Sequence, residues 1–329
     1  MTSTADSITN EVESHPVRIP VGISSCLVGD RVRYDGGHKA HSYITRTLGQ
    51  YFEFRTFCPE LEIGLGVPRK PIRLTKREDK VIRCVEIGNQ EADYTDALAH
   101  IADEQRSWHK TLCGYILKKD SPSCGMERVK VWSDDMPTRD GNGIYSAALA
   151  KNFPYLPMEE EGRLGDAVLR ENFIQRVFAL YRWHQMTDSG ISVGKLVDFH
   201  ARHKLIIMSH DQNGYRELGR LVAATERESL ETNAAAYLLK FMQTLKTRAT
   251  RGNHVNVLQH IQGYLKNHLD AADKQEMLQT IERYRVGEIP LIVPITLLNH
   301  FFRKFPNDYI SNSWYMNPYP AEMSLQNEI

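Results

Sequence analysis

Val17-Arg-Ile-Pro-Val-Gly-Ile-Ser24 runs straight into Ser25-Cys26-Leu-Val-Gly29. An apolar run of strand length that ends in a small-residue turn reads as a strand feeding a loop, and this loop carries a thiol. The pattern recurs twice. Phe52–Phe57 leads into Cys58-Pro-Glu60, and a strand over 114–118 leads into Ser121-Pro-Ser-Cys124-Gly125. Between these segments the spacing predicts helices over 42–51 and 94–111, the second with Ala97, Leu98 and Ile101 on one face, and a further strand over 81–85. Strands alternating with helices predict βαβ units and a Rossmann-like parallel sheet. In such a sheet the loops at the carboxyl ends of the strands converge on one crevice, so the three cysteines are expected to meet.

Glu159-Glu-Glu161-Gly162 marks a change of composition. Beyond it the pattern is almost wholly helical, with predicted helices over 166–185, 192–209, 215–225, 228–247, 254–267 and 272–284. The expectation is an α/β half over 17–165 followed by an all-α half over 166–329. A chain of 329 residues is long enough for two cores. Lys+Arg and Asp+Glu both total 41, so bulk charge points to no polyanionic partner and any basic surface must be local. Residues 1–16 lack a basic and an apolar region and read as a polar tail, not a signal peptide. The longest apolar stretch, 289–298, is broken by two prolines and is too short to span a membrane. Five cysteines without close pairs argue against a disulfide framework, fitting a reducing, cytoplasmic setting.

Free cysteines are commonly small buried hydrophobes, the reading preferred for Cys84 and Cys113. Cys26, Cys58 and Cys124 stand in Gly/Pro turns that bury side chains poorly. Structural zinc favours tight cysteine pairs, which are missing. A Cys–His nucleophile, with His38, His41 or His109, leaves three similarly placed cysteines unexplained. Three thiolates suit an iron–sulfur cluster with one iron left open for chemistry. Near Cys26, Arg31, Arg33 and Lys39 with a glycine pair read either as a phosphate cradle or as ordinary surface, and Lys118 and Lys119 as added positive charge or a solvated strand end. Glu60, Ser121 and Ser123 are brought beside any site that the cysteines form.

Ser-Ser-Cys26-Leu-Val-Gly with Val-Arg-Tyr-Asp-Gly-Gly-His, Cys58-Pro-Glu60 with Gly64-Leu-Gly66-Val-Pro-Arg69, and Ser121-Pro-Ser-Cys124-Gly125 together resemble the thiouracil desulfidase family over 17–165. That resemblance implies a 4Fe-4S cluster held by Cys26, Cys58 and Cys124, which binds substrate sulfur at the unique iron. It also implies non-redox removal of that sulfur, Glu60 as acid/base, and a catalytic serine in the last motif, either Ser121 or Ser123. Phe199-His-Ala-Arg-His-Lys204, Tyr215-Arg-Glu-Leu-Gly-Arg220, His260-Ile-Gln-Gly-Tyr264 and Pro290-Leu-Ile-Val-Pro294 are similar to a helical domain often fused to it. The fused proteins resemble an enzyme that removes 4-thiouridine from tRNA, which implies tRNA as partner. Independently, 232–269 contains no Asp or Glu but holds Lys240, Lys246, Arg248, Arg251 and Lys266. Such a basic stretch is either a phosphate-backbone footprint, with Arg248 and Arg251 in contact, or a face compensated by acids elsewhere.

The expected function is therefore conversion of 4-thiouridine to uridine in tRNA, with no membrane and no obligatory protein partner. Two other readings stand beside it: a desulfidase of free thiouracil or thiouridine monophosphate, and a non-catalytic RNA-binding module with a structural metal.

Overall fold

The computed structural model describes residues 18–133, 136–323 and 325; the expected tail over 1–16 lies outside them. Its strands are β1 (Ile19–Ser24), β2 (Phe52–Phe57), β3 (Ile72–Lys76), β4 (Ile82–Glu86), β5 (Asn89–Asp93), β6 (Tyr115–Leu117), β7 (Val129–Ser133), β8 (Met136–Gly141) and β9 (Met158–Glu160). Helices α1 (Pro59–Glu62), α2 (Thr95–Glu104), α3 (Arg106–His109) and α4 (Ile144–Asn152) lie among them. Eight more follow: α5 (Ala167–Asp188), α6 (Val193–His210), α7 (Gln212–Ala223), α8 (Leu230–Lys246), α9 (Arg251–Gly263), α10 (Ala271–Val286), α11 (Ile292–Lys304) and α12 (Asp308–Ser311). An α/β half is followed by a helical half, as the patterning predicts.

The first sheet is parallel throughout, in the order β2-β1-β6-β9. Its two central strands, β1 and β6, are short and buried on both faces, with Val21, Ile23, Ile116 and Leu117 fully covered, so they read as continuous apolar runs. The chain leaves β1 for β2 on one side and returns as β6 on the other. That reversal opens a crevice at the carboxyl ends of β1 and β6.

A second sheet, in the order β5-β4-β3-β7-β8, was not anticipated. The strand expected over 81–85 belongs here and not to the parallel sheet, paired antiparallel with β3 and β5. Both parts of this sheet are excursions from the first: β3 to β5 leave between β2 and β6, and β7 with β8 between β6 and β9. Exposed β5 and β8 carry little apolar alternation, which is why periodicity passes over them.

Other departures have local causes. The segment expected as a helix over 42–51 forms only a wide turn at Tyr43–Thr47 and a tight one at Leu48–Gln50; Ile44, Thr45 and Thr47 are β-branched and disfavour a regular helix. The helix expected over 94–111 is two helices, broken at Gln105. Pro290 and Pro294 do not break the apolar run that holds them. Pro290 precedes α11 and Pro294 sits in its first turn, where no intrahelical N–H is required. The Glu159–Glu161 triplet, read as a composition shift, holds the end of edge strand β9, and all three glutamates are buried.

Helix α5 joins the halves. Phe173, Ile174 and Val177 pack under the parallel sheet with Ile23, Cys113 and Ile116, while Ala179, Leu180 and Trp183 enter the core of the helical half with Phe199, Tyr237 and Phe241. Among the described residues no helix is long and apolar enough to cross a membrane.

Candidate functional site

All four strands of the parallel sheet deliver a polar or thiol side chain beyond their carboxyl ends. Cys26 follows β1, Cys58 immediately follows β2, Cys124 lies in the loop after β6, and Glu161 follows β9. The loops are tied together by backbone. Lys118 N donates to Ser24 Oγ at 3.0 Å, linking the ends of β6 and β1, and Lys39 N donates to the Cys26 carbonyl at 2.8 Å. The Cys124 loop is wedged against the start of α4: a Cβ on Gly143 would stand 2.6 Å from the Ser123 carbonyl carbon, so only glycine fits.

The result is a cavity of about 360 Å³ lined by Cys26, Cys58 and Cys124 together with Glu60, Ser121 and Ser123. That volume is on the scale of a small-molecule site. Cys84 and Cys113 lie elsewhere, buried in separate cores. Burial pushes the Cys26 thiol up to about 11, against the pull of Lys118. Burial also raises Cys58, and it raises Cys124 furthest of the three, helped by Cys58 and Glu60. A cysteine nucleophile needs the opposite shift. None of the three candidate histidines corrects this: His109 bonds Tyr145 Oη at 2.7 Å in the core, and neither His38 nor His41 lines the cavity.

Glu60 is held from both sides. Arg69 donates to Oε2 from Nε at 3.0 Å and from Nη2 at 2.7 Å, and Ser123 Oγ donates to Oε1 at 2.6 Å. Ser121 Oγ lies 2.9 Å from Ser123 Oγ and accepts from the backbone N–H of Cys124 at 3.1 Å. Ser123 has one hydroxyl proton and gives it to the carboxylate, so Ser121 must be the donor in the serine pair. The protons thus run from Ser121 through Ser123 to Glu60. Ser123 is fully buried and Ser121 only half so, which leaves Ser121 as the hydroxyl facing the cavity.

Of the basic residues singled out, Arg33, Lys39, Lys118 and Lys119 line the cavity, whereas Arg31 does not. Lys118 is spoken for: its Nζ pairs with Glu161, whose other oxygen accepts from Lys119 N at 2.7 Å. Arg69 and Glu161 were missed as site residues. Arg69 stood at the end of the Gly64-Leu-Gly66-Val-Pro-Arg69 motif, and nothing in the sequence tied it to Glu60.

In the helical half the acid-free stretch is divided. Lys240 pairs with Glu217. Arg251 turns inward, donating to the Tyr284 carbonyl at 2.8 Å with its guanidinium 5.3 Å from that ring. Arg248 and Lys246 remain exposed.

Three thiols and a hydrogen-bonded carboxylate thus share one α/β crevice, and known proteins match both halves of the chain. Residues 21–161 match the family described as 2-thiouracil desulfurase, and residues 204–320 match DUF1722, described as a protein of unknown function. The α/β half thus carries a 2-thiouracil desulfurase domain and is followed by a DUF1722 helical region. It is similar to the protein YbgA of Escherichia coli K12, 33% identical over 152 residues, which are 46% of this chain and 90% of that one. It is also similar to YbbK of Bacillus subtilis 168, 29% identical over 143 residues, 42% of this chain and 93% of that one. A solved 4Fe-4S-dependent thiouracil desulfidase, TudS, aligns at 25% identity and a TM-score of 0.38, covering 47% of this chain and 98% of that one.

Proposed function

We propose that this chain removes sulfur from 4-thiouridine in tRNA, giving uridine and hydrosulfide, with a 4Fe-4S cluster held by Cys26, Cys58 and Cys124. The observation that carries this reading is the meeting of three thiols, two of them buried, and the Ser121–Ser123–Glu60 relay in one cavity. Three thiols lining one cavity are the soft donor set that an iron–sulfur cluster takes. Among the described residues no group of three His, Cys, Asp or Glu side chains is placed to hold one metal ion, whereas a cluster spreads its thiolates over separate irons. When bound, the cluster would supply a soft acceptor that polarises the C4–S bond of the substrate.

The chain's own residues do the rest. Glu60 takes a proton from the attacking water, directly or along Ser121 and Ser123, as the C4–O bond forms. The C4–S bond breaks with its electron pair going to sulfur, so carbon and sulfur undergo no net redox change. Arg69 keeps the carboxylate oriented through two hydrogen bonds, and Arg33 and Lys39 offer positive charge to a nucleotide phosphate at the rim. A base stacked in folded RNA must be turned out to reach the cavity. Exposed Lys246 and Arg248 support an RNA partner, and five free cysteines fit a reducing, cytoplasmic setting.

The test is protein prepared without oxygen. Expected are a visible iron–sulfur absorption, about four irons and four sulfides per chain, and loss of the 4-thiouridine absorbance from thiolated tRNA. Turnover of free 4-thiouracil with inert tRNA would move the substrate to the free base. Colourless protein that binds tRNA and leaves its sulfur in place would make it a binding module.

A further inference from the structure

A second, larger cavity of about 700 Å³ lies on the seam between the halves, between the Met126–Glu127 turn, α4 and the 153–158 segment on one side and α5 and α8 on the other. Six of its lining residues are charged: Glu127, Glu159, Arg163, Arg176, Lys246 and Arg248. Arg163 takes both carboxylates, pairing with Glu127 and with Glu159, the latter at 2.6 Å. Arg176, Lys246 and Arg248 are left with no ion pair among the described residues.

Arg176 is the informative one. Only 7% of it is exposed, and its Nε donates to Asn172 Oδ1 at 3.0 Å. Its two terminal nitrogens have no hydrogen bond among the described residues, yet they are not sealed off, because neither is among the buried polar atoms that lack a partner. A guanidinium stripped of most of its water and left without a carboxylate is costly in the free protein. Burial holds it down to about 10, with Glu159 pulling the other way. Its open nitrogens match the fork that grips a phosphate.

We propose that Arg176, Lys246 and Arg248 form a phosphodiester-binding cleft that seats the RNA backbone across the seam between the two halves. This rests on the tRNA reading above and deepens it. Arg176 forms the floor and the two exposed cations the rim. The cleft assigns Arg251 no part in RNA contact.

The experiment is a titration of unmodified tRNA at several salt concentrations against the full chain and the variants Lys246→Gln/Arg248→Gln and Arg176→Met, beside thermal melting and desulfuration of thiolated tRNA. The double variant is expected to weaken binding by roughly tenfold near physiological salt and to flatten the log–log salt slope by about 2. Arg176→Met is expected to weaken binding while leaving Tm unchanged or raised, because it removes an uncompensated charge; a structural arginine would lower Tm. Unchanged affinity and slope in both variants, with thiolated tRNA still processed, would overturn the cleft and leave the desulfidase reading standing. Weaker tRNA binding in the variants from a chain that never desulfurates tRNA would do the reverse. If inorganic phosphate raises the Tm of the native chain but not of Arg176→Met while tRNA affinity stays the same, the site takes a small free anion and the RNA assignment is wrong.

Discussion

The crevice of the parallel sheet and the basic stretch of the helical half both begin as groups of like residues spread along the sequence, and the fold treats them in opposite ways. Cys26, Cys58 and Cys124 arrive at one cavity, because every loop that carries them leaves the same edge of one sheet. Lys240, Arg248 and Arg251 lie within a dozen residues of one another yet separate: one pairs with Glu217, one is exposed and one packs on Tyr284. Position beyond a parallel strand therefore predicts where a side chain goes. Proximity along the helical half does not, since Lys240 lies in α8, Arg248 in the loop after it and Arg251 at the start of α9, and each element points its side chains its own way.

The strongest way to break this contrast is at the thiols. Replacing Cys58 or Cys124 with Ser should abolish cluster binding and lower desulfuration by roughly a thousandfold or more, whereas Cys84→Ser and Cys113→Ser should keep their iron. Iron content and turnover measured side by side decide it; equal losses at all four positions would mean the loop thiols are not special. Glu60→Gln comes next, with kcat expected to fall by roughly 10²–10⁴ at unchanged iron content, because the amide keeps the shape and loses the proton transfer. Near-native turnover in that variant would shift the acid/base role to Ser121 or to solvent.

Arg69→Met leaves a carboxylate unpaired in a site where the two side chains are only 8% and 14% exposed. The expected cost is about 3–5 kcal/mol of stability, read as a lowered midpoint in urea. A smaller and pH-dependent effect belongs to the helical half. Burial holds His200 and His210 down to about 4, against about 6.5 for an unfolded histidine. The unfolded chain thus binds protons that the folded one refuses. Stability is full above about 6.5 and falls as pH drops toward 4, by roughly 1–2 kcal/mol per histidine at pH 5. Melting at pH 7 and pH 5, repeated with His210→Gln, checks the sign; a steeper loss in the variant would refute it.

The smallest effect sharpens the contrast most. Arg251→Gln should leave the salt dependence of tRNA binding unchanged and lower stability by about 1 kcal/mol, through its lost hydrogen bond and ring contact with Tyr284. Altered salt dependence would put Arg251 back among the RNA contacts that the sequence suggests.

Much of the α/β half was legible because its signals are local. Apolar runs of strand length ending in Gly/Pro turns locate β1, β2 and β6, and turn chemistry marks the cysteine loops. The second sheet was not legible: β5 and β8 are polar, short and largely exposed, and β3 and β7 pair side by side although more than fifty residues separate them. Most helices of the second half announced themselves by period, and α11 was hidden only by prolines that belong to its beginning.

The sequence by itself determined which chemistry this chain carries: three thiols, a glutamate and two serines, each placed just past a strand, where parallel topology leaves one destination. Only the tertiary structure decided which partners tune them. Arg69 reaches Glu60 across a turn, Ser123 rather than Ser121 touches the carboxylate, Glu161 holds Lys118, and Arg176 faces a seam that exists only once α5 is packed between sheet and helices. Those choices depend on side-chain direction and on contacts between segments far apart in the chain, and neither is a property of any local stretch of residues.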